Sequence, residues 1–269
     1  MPLRERPHVN DLSGRISFTD VGLALLLVAV AVGVSRLRHA DLERDILVAT
    51  FRSFAQLLAV GFVLDYVFRS RSSLTPVVLA VMVVTATLTS GARGRDVPGA
   101  RGIALASLVV ATGGTLGVLL ALRIVPAVPR SAIPLGSMII SNAMVTTSLV
   151  MARLRDDLAS ARREVEARLS LGQTSTEAAA PWHQLAVRAG MLPIIDNTKV
   201  VGLVALPGAM TGMLLAGASA SSAIRLQLVV MYMILGGNAF AALVAGRLTV
   251  RALFTPAHQL IRSLRRNGA

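Results

Sequence analysis

The sequence predicts an all-α membrane protein: a polytopic transmembrane helix bundle of about seven spans, carrying a cytoplasmic helical hairpin. Three observations predict it. Hydrophobic residues make up 54% of the 269 positions and charged residues only 15%, with a mean hydropathy of +0.67, a balance too apolar for a water-soluble domain of this size. Seven stretches approach the roughly 20 apolar residues that cross a bilayer core of about 30 Å, and they are continuous rather than alternating, which selects helices over barrel strands. The only long polar stretch, 151–199, is itself periodic.

Taken in order, the spans are 18–34, 46–68, 74–90, 103–122, 132–150, 200–218 and 224–246. Residues 1–17 are mostly polar and no convincing small-residue cleavage site follows the first apolar run, so that run reads as a retained span rather than a signal peptide. The membrane-spanning core thus extends over 18–246. Within it, Leu154, Leu158, Ala161, Val165 and Leu169 recur at helical spacing, with Arg155, Arg162, Arg163 and Glu166 on other faces. An amphipathic helix therefore continues from the fifth span into the cytoplasm. The chain turns after Gly172, and Thr174 with Glu177 has the form of a capping box. A second helix follows, with Trp182, Leu185, Ala189 and Leu192 expected on one face and Pro181 at its start or kinking it. The hairpin has two apolar stripes: one can pack on the bundle, which leaves the other for a partner.

Charge sets the orientation. The formal net charge is +13, and Lys199 is the only lysine. The arginines lie in short segments between apolar runs, not in a patch interleaved with aromatics, so nucleic acid is not the expected partner. With the C-terminus inside, the inner segments hold eighteen basic residues and the outer ones seven, which by the positive-inside rule predicts N-out and C-in. The segment 247–269, with Arg247, Arg251, Arg262, Arg265 and Arg266 beside Leu253, Phe254, Leu260 and Ile261, reads as a basic tail on anionic membrane lipids or as a solvated tail that only fixes topology.

Several chemistries are excluded. Without cysteine there is no disulfide or thiolate site. Lys199 precedes valine and follows no glycine-rich loop, so there is no Walker A motif. His8, His39, His183 and His258 are scattered without metal-ligand spacing, and no hydrolase signature is visible. An enzyme is not expected.

What remains is polarity inside spans, which is costly there and marks function by default. Arg52 and Gln56 are four apart in the second span and share a face: either they wall a translocation path, or Arg52 snorkels and Gln56 bonds to a neighbouring helix. The fifth span holds Ser137, Ser141, Asn142, Thr146, Thr147 and Ser148 with Met138 and Met144. The hydroxyls read as packing devices. Asn142 needs a partner at mid-bilayer, and its carbonyl beside the thioethers of Met138 or Met144 could form a weak cation site. Asp196, Asn197, Thr198 and Lys199 open the sixth span, in which Pro207, Gly208, Met210, Thr211 and Gly212 follow. Pro207 should kink or open this helix, and Gly208 with Gly212 permits close helix contact.

These runs resemble the FetB-type permeases, membrane subunits of ABC transporters linked to iron export and metal tolerance. The resemblance covers about residues 45 to 245. It is carried by Arg52-x-x-x-Gln56-Leu57 with Gly61, by Pro134-Leu135-Gly136 through Asn142-Ala143-Met144 and Ser148-Leu149, and by Asp196-Asn197-Thr198-Lys199 through Leu206-Pro207-Gly208-Ala209-Met210-Thr211-Gly212. Ser141 and Met213 depart from it, standing where the family often has glycine and glutamine. The resemblance implies a permease, dimeric, that binds no cofactor of its own and pairs with a separate ATP-binding subunit holding ATP and magnesium. It further implies that Glu166, Gly172, Trp182, Leu185, Leu192 and Pro193 belong to the coupling region, a divergent form of the motif that seats ABC permeases on their ATPase. Iron or a related metal, exported, is the implied substrate. A partner-free secondary transporter or channel, and an ABC permease for an organic or lipid-like substrate, are the rival classes.

Overall fold

The computed structural model describes residues 18–38, 41–69 and 74–261. The N-terminal segment 1–17, expected outside the membrane, and the tail residues Arg262, Arg265 and Arg266 lie outside the described residues. The helices are α1 Phe18–Leu37, α2 Glu43–Arg69, α3 Thr75–Arg93, α4 Ala100–Ala121, α5 Pro129–Ser160, α6 Arg162–Ser170, α7 Ser175–Val200, α8 Gly208–Leu215 and α9 Ala220–Leu253. Among the described residues, α1 to α5 and α9 are long and apolar enough to cross a membrane.

The seventh expected span, 200–218, is not a continuous helix. After α7 the chain turns at Gly202, whose φ of +84° is left-handed, and the Gly202 amide bonds to the Ala205 carbonyl. Pro207 is extended and caps α8, which at eight residues is about 12 Å long and too short to cross. The kink expected at Pro207 is thus a full interruption, because a left-handed glycine and a residue without an amide proton bracket the same few residues.

The chain divides into two compact units. One comprises Met1–Arg71 with Pro207–Leu226, the other Ser72–Leu206 with Gln227–Ala269. In the first, α1 and α2 pack together, and the turn between them is pinned by Leu42 N–H donating to the buried Ser35 hydroxyl.

In the second unit, α3, α4 and α5 pack on one another and α7 packs on α5. Small residues bring the backbones close, as is usual where lipid removes the hydrophobic drive between helices. Gly190 of α7 lies against Val150 and the Thr146 carbonyl of α5, and Gly237 of α9 lies against Ile139 of α5 and Thr115 of α4. At the end of this unit Val150, Leu154 and Leu158 of α5 form one core with Val165 of α6, Ala178, Trp182 and Ala186 of α7, and Leu253, Phe254 and Leu260.

Two expectations about this region change. The amphipathic helix expected to continue from the fifth span through Leu169 is broken at Ala161 into α5 and α6. The apolar part of the 247–269 segment does not lie on lipid: Arg247 to Leu253 complete α9, and the chain then reverses so that Phe254 pairs with Leu260 and both are buried.

Candidate functional site

The hairpin is built locally as its sequence indicates. Gly172 turns the chain with φ +86°, and Thr174 caps α7: its hydroxyl accepts from Glu177 N–H while the Glu177 carboxylate accepts from Thr174 N–H at 2.8 Å. The Thr174 hydroxyl also donates to that carboxylate at 2.8 Å, and the donations from the Thr174 backbone and side chain hold the Glu177 carboxyl below its ordinary pKa. At the tip Leu171 is 84% exposed. Glu166 is exposed and paired to Arg162 at 2.6 Å, on the rim of a cleft of about 490 Å³ between α6 and the turn Ala257–Leu260. His258 in that turn accepts from Ser175 N–H at 3.1 Å, tying the end of the described chain to the start of α7.

The α7 face differs from expectation. Trp182 is buried with Ala186 and Gly190, and the Arg168 guanidinium sits over its ring at 5.3 Å. Leu185 and Leu192 are exposed instead, as is Pro193, which lies inside the helix together with Pro181. The buried face is the series Ala178, Trp182, Ala186, Gly190 and Ile194, and its small members let the helix approach α5 closely enough for Thr146 Oγ1 to donate to the Gly190 carbonyl at 3.3 Å.

That contact fixes a register. Trp182 shares a core with Leu154 and Leu158, and Gly190 opposes Thr146 and Val150, so α7 runs antiparallel to α5. With about 1.5 Å of rise per residue on each helix, Asp196 to Lys199 come level with Ile139 to Asn142, in the middle of the apolar part of α5. The second helix of the 151–199 hairpin thus runs back alongside α5 from Gly190 onward.

The layer so formed is polar. Asp196 and Lys199 pair at 2.9 Å and are both exposed; Asn197 is exposed, and Thr198 donates to the Ile194 carbonyl at 2.6 Å. On α5, Ser137 and Ser141 bond back to the Pro134 and Met138 carbonyls, and Ser148 bonds to the Met144 carbonyl and to Ser90 Oγ at 3.0 Å. Asn142 Nδ2 donates to the Met138 carbonyl at 2.8 Å, which leaves its Oδ1 as the acceptor available at this level.

The structure does not assemble Met138, Asn142 and Met144 around one point. Met138 and Asn142 are four apart and share a face, whereas Met144 lies two residues beyond Asn142, about 200° around a continuous helix. Among the described residues no group of three His, Asp or Glu side chains could hold a metal ion either.

In the other unit, Arg52 and Gln56 lie one turn apart on α2, both exposed. Thr211 Oγ1 donates to the Pro207 carbonyl at 3.2 Å, and Met210 is half-buried. Gly208 and Gly212 are open, with nothing described within 4 Å of where a Cβ would stand.

Sequence reasoning passed over Asn238, Thr112 and Thr115. All three are buried, and Asn238 Oδ1 and both threonine hydroxyls have no hydrogen-bond partner. Asn238 is adjacent to Gly237, which touches Thr115 and Ile139. The signal was present: Asn238 interrupts an otherwise uncharged apolar run.

Comparison with known proteins places this arrangement in a family. Residues 18–254 match the family described as Uncharacterised protein family (UPF0014). The chain belongs to the UPF0014 family. This UPF0014 chain is 40% identical to the UPF0014 membrane protein STAR2 of Oryza sativa subsp. japonica, over 88% of its own length and 84% of the relative's. It is 38% identical to Protein ALUMINUM SENSITIVE 3 of Arabidopsis thaliana, covering 97% of each chain. It is 34% identical to the probable iron export permease protein FetB of Escherichia coli strain K12, covering 93% and 96%. The resemblance to FetB-type permeases read from the motifs therefore holds along nearly the whole chain. No solved structure matches the chain.

Proposed function

We propose that this UPF0014 protein is the membrane-spanning subunit of an ABC transporter that exports iron or a related metal ion, with ATP and magnesium held by a separate ATP-binding subunit. The observation that carries the reading is α7, one continuous helix whose first half belongs to a hairpin with an exposed apolar tip and whose second half brings Asp196 to Lys199 level with Asn142. A push on the hairpin by a partner is transmitted along α7, past Pro181 and Pro193, to the polar layer. Irregular backbone and charge at membrane depth are tolerated where they line a water-filled cavity or are buried in protein, so the exposed Asp196, Asn197, Lys199 and Asn142 Oδ1 are assigned to the wall of the translocation path. From the motif match Met138 is assigned to this wall, and Arg52, Gln56, Met210 and Thr211 are translocation-path candidates within their own unit.

In this reading Leu171, Gly172 and Leu185 meet the ATPase, whereas Trp182 holds the hairpin to the bundle and Leu192 lies past Gly190 in the stretch that runs alongside α5. The permease works as a homodimer. Its N-terminus is outside and its C-terminus cytoplasmic, an odd number of crossings to which the interrupted stretch from Gly190 to Leu215 contributes the seventh. The name of the Escherichia coli relative supports export of iron, and the name of the Arabidopsis relative extends the candidates to aluminium.

Cell metal content decides the substrate. Iron and aluminium are measured in cells with and without this protein and its ATPase, together with survival under iron and peroxide stress. Loss should raise cell metal and sensitivity, and an ATPase-dead partner should reproduce the effect. Unchanged metals would remove metal export as the function, and transport in vesicles without ATP would assign the chain to the secondary transporters.

A further inference from the structure

Between α7 and α9 lies a cavity of about 450 Å³ that takes no part in the layer described above. Arg247 and Arg251, one turn apart on α9, form its basic wall, and His183, Gln184 and Thr176 face them from α7. Leu243, Val250 and Ala180 supply an apolar wall. No carboxylate lines the cavity, and among the described residues neither arginine forms an ion pair with one. His183 Nε2 is buried without a hydrogen-bond partner, wedged against Gly246, where an added Cβ would stand 2.7 Å from it. The site thus offers two permanent cations and three further hydrogen-bonding side chains with no anion to answer them.

Its depth is equally informative. From Leu226 to Gly246 no residue of α9 is charged, a run of about 32 Å at helical rise, matching a hydrocarbon core of about 30 Å. Arg247 is therefore the first charge past the edge of that core, and Leu243 lies one turn inside it. The cavity straddles the boundary, apolar toward the bilayer and doubly basic toward water.

We propose that this cavity binds a phosphate-bearing anion, supplied either by an anionic phospholipid headgroup or by free phosphate, with Arg247 and Arg251 as charged donors and Gln184 and Thr176 as neutral ones. Guanidinium groups match phosphate oxygens in geometry as well as charge, and basic pockets between membrane helices at this level take lipid headgroups. The occupant would bridge the first half of α7 to the end of α9. The inference needs neither an ATPase nor a metal substrate.

The test uses the full chain purified in detergent and in nanodiscs of phosphatidylcholine with or without phosphatidylglycerol. Retained lipid is counted by native mass spectrometry, and thermal unfolding is followed with and without inorganic phosphate. Wild type should retain phosphatidylglycerol selectively, and Arg247→Gln with Arg251→Gln should weaken retention by about tenfold or more, with the double lysine variant intermediate. Arg188→Gln, which removes one positive charge from a position on α7 outside the cavity, should leave retention unchanged, whereas Arg247→Gln or Arg251→Gln alone should each weaken it. Stabilisation by inorganic phosphate that the double glutamine variant abolishes, with no lipid preference, supports the same site with a soluble source. The proposal is overturned if neither ligand distinguishes wild type from the double variant, or if Arg188→Gln weakens binding as much.

Discussion

Asn142 shows how a polar side chain is accommodated at the depth of an apolar bundle: its amide donates one N–H to the carbonyl one turn back, and Oδ1 is left as an acceptor for anything that passes. Asn142→Leu removes that acceptor while keeping side-chain volume. Transport by the reconstituted complex should fall about tenfold, the scale of one hydrogen bond to a charged group, with co-purification of the ATPase unchanged; normal transport would return Asn142 to packing. Trp182 and Leu185, three positions apart, should respond oppositely. Trp182 is 9% exposed and Leu185 54%. Trp182→Ala should cost about 3–5 kcal/mol of stability, read as a lowered unfolding midpoint, whereas Leu185→Asp should leave the midpoint in place and abolish association with the ATPase. His183 adds a pH dependence. Burial first and the Arg247 charge second hold it below its ordinary value of 6.5. Between the lowered pKa and 6.5 the unfolded chain binds a proton that the folded chain does not, so stability rises with pH across that window and is lost on acidification. The unfolding midpoint should drop as pH falls below 6.5 and the drop should shrink in His183→Gln; an equal slope in both would contradict the assignment.

At the scale of elements, the turn between α6 and α7 joins backbone geometry to exposure. Gly172 has φ +86°, a region that costs most L-residues about 1–2 kcal/mol and that asparagine tolerates best. Gly172→Asn should therefore keep the turn and the ATPase, while Gly172→Asp, with a charge beside the apolar tip, should abolish co-purification and leave membrane insertion intact; equal behaviour of the two would remove the tip from the interface. The hairpin was legible because its signals are local: the capping box, the glycine turn and the periodic leucines each depend on neighbours within four residues. The contact face of α7 was not legible. Trp182, Leu185, Ala189 and Leu192 read as one face, but against α5 the helix packs through Ala178, Trp182, Ala186 and Gly190, which leaves Leu185 and Leu192 exposed on another. The break after Val200 was half legible, since Pro207 announced a disturbance but only Gly202 acting with it dissolves the helix.

For the whole molecule, composition and run length sufficed for a polytopic helical membrane protein, and a dense set of short motifs sufficed for its family. Register between helices far apart in sequence was beyond reach, which is why Asp196 to Lys199 were read as the doorway of a span and not as neighbours in depth of Asn142. The assigned topology is tested by a reporter fused after Arg266, expected to read cytoplasmic; a signal from the opposite side would reverse every span. The contact between His258 and Ser175, 83 residues apart, has a consequence for biogenesis. Phe254 and Leu260 complete the core in which Trp182 is buried, yet the ribosome adds them long after α7 has emerged. Until then the nascent hairpin lacks part of its own interior, so a chain stopped before the reversal would carry an unfinished docking surface, and assembly with a partner would be reserved for chains synthesised past that point.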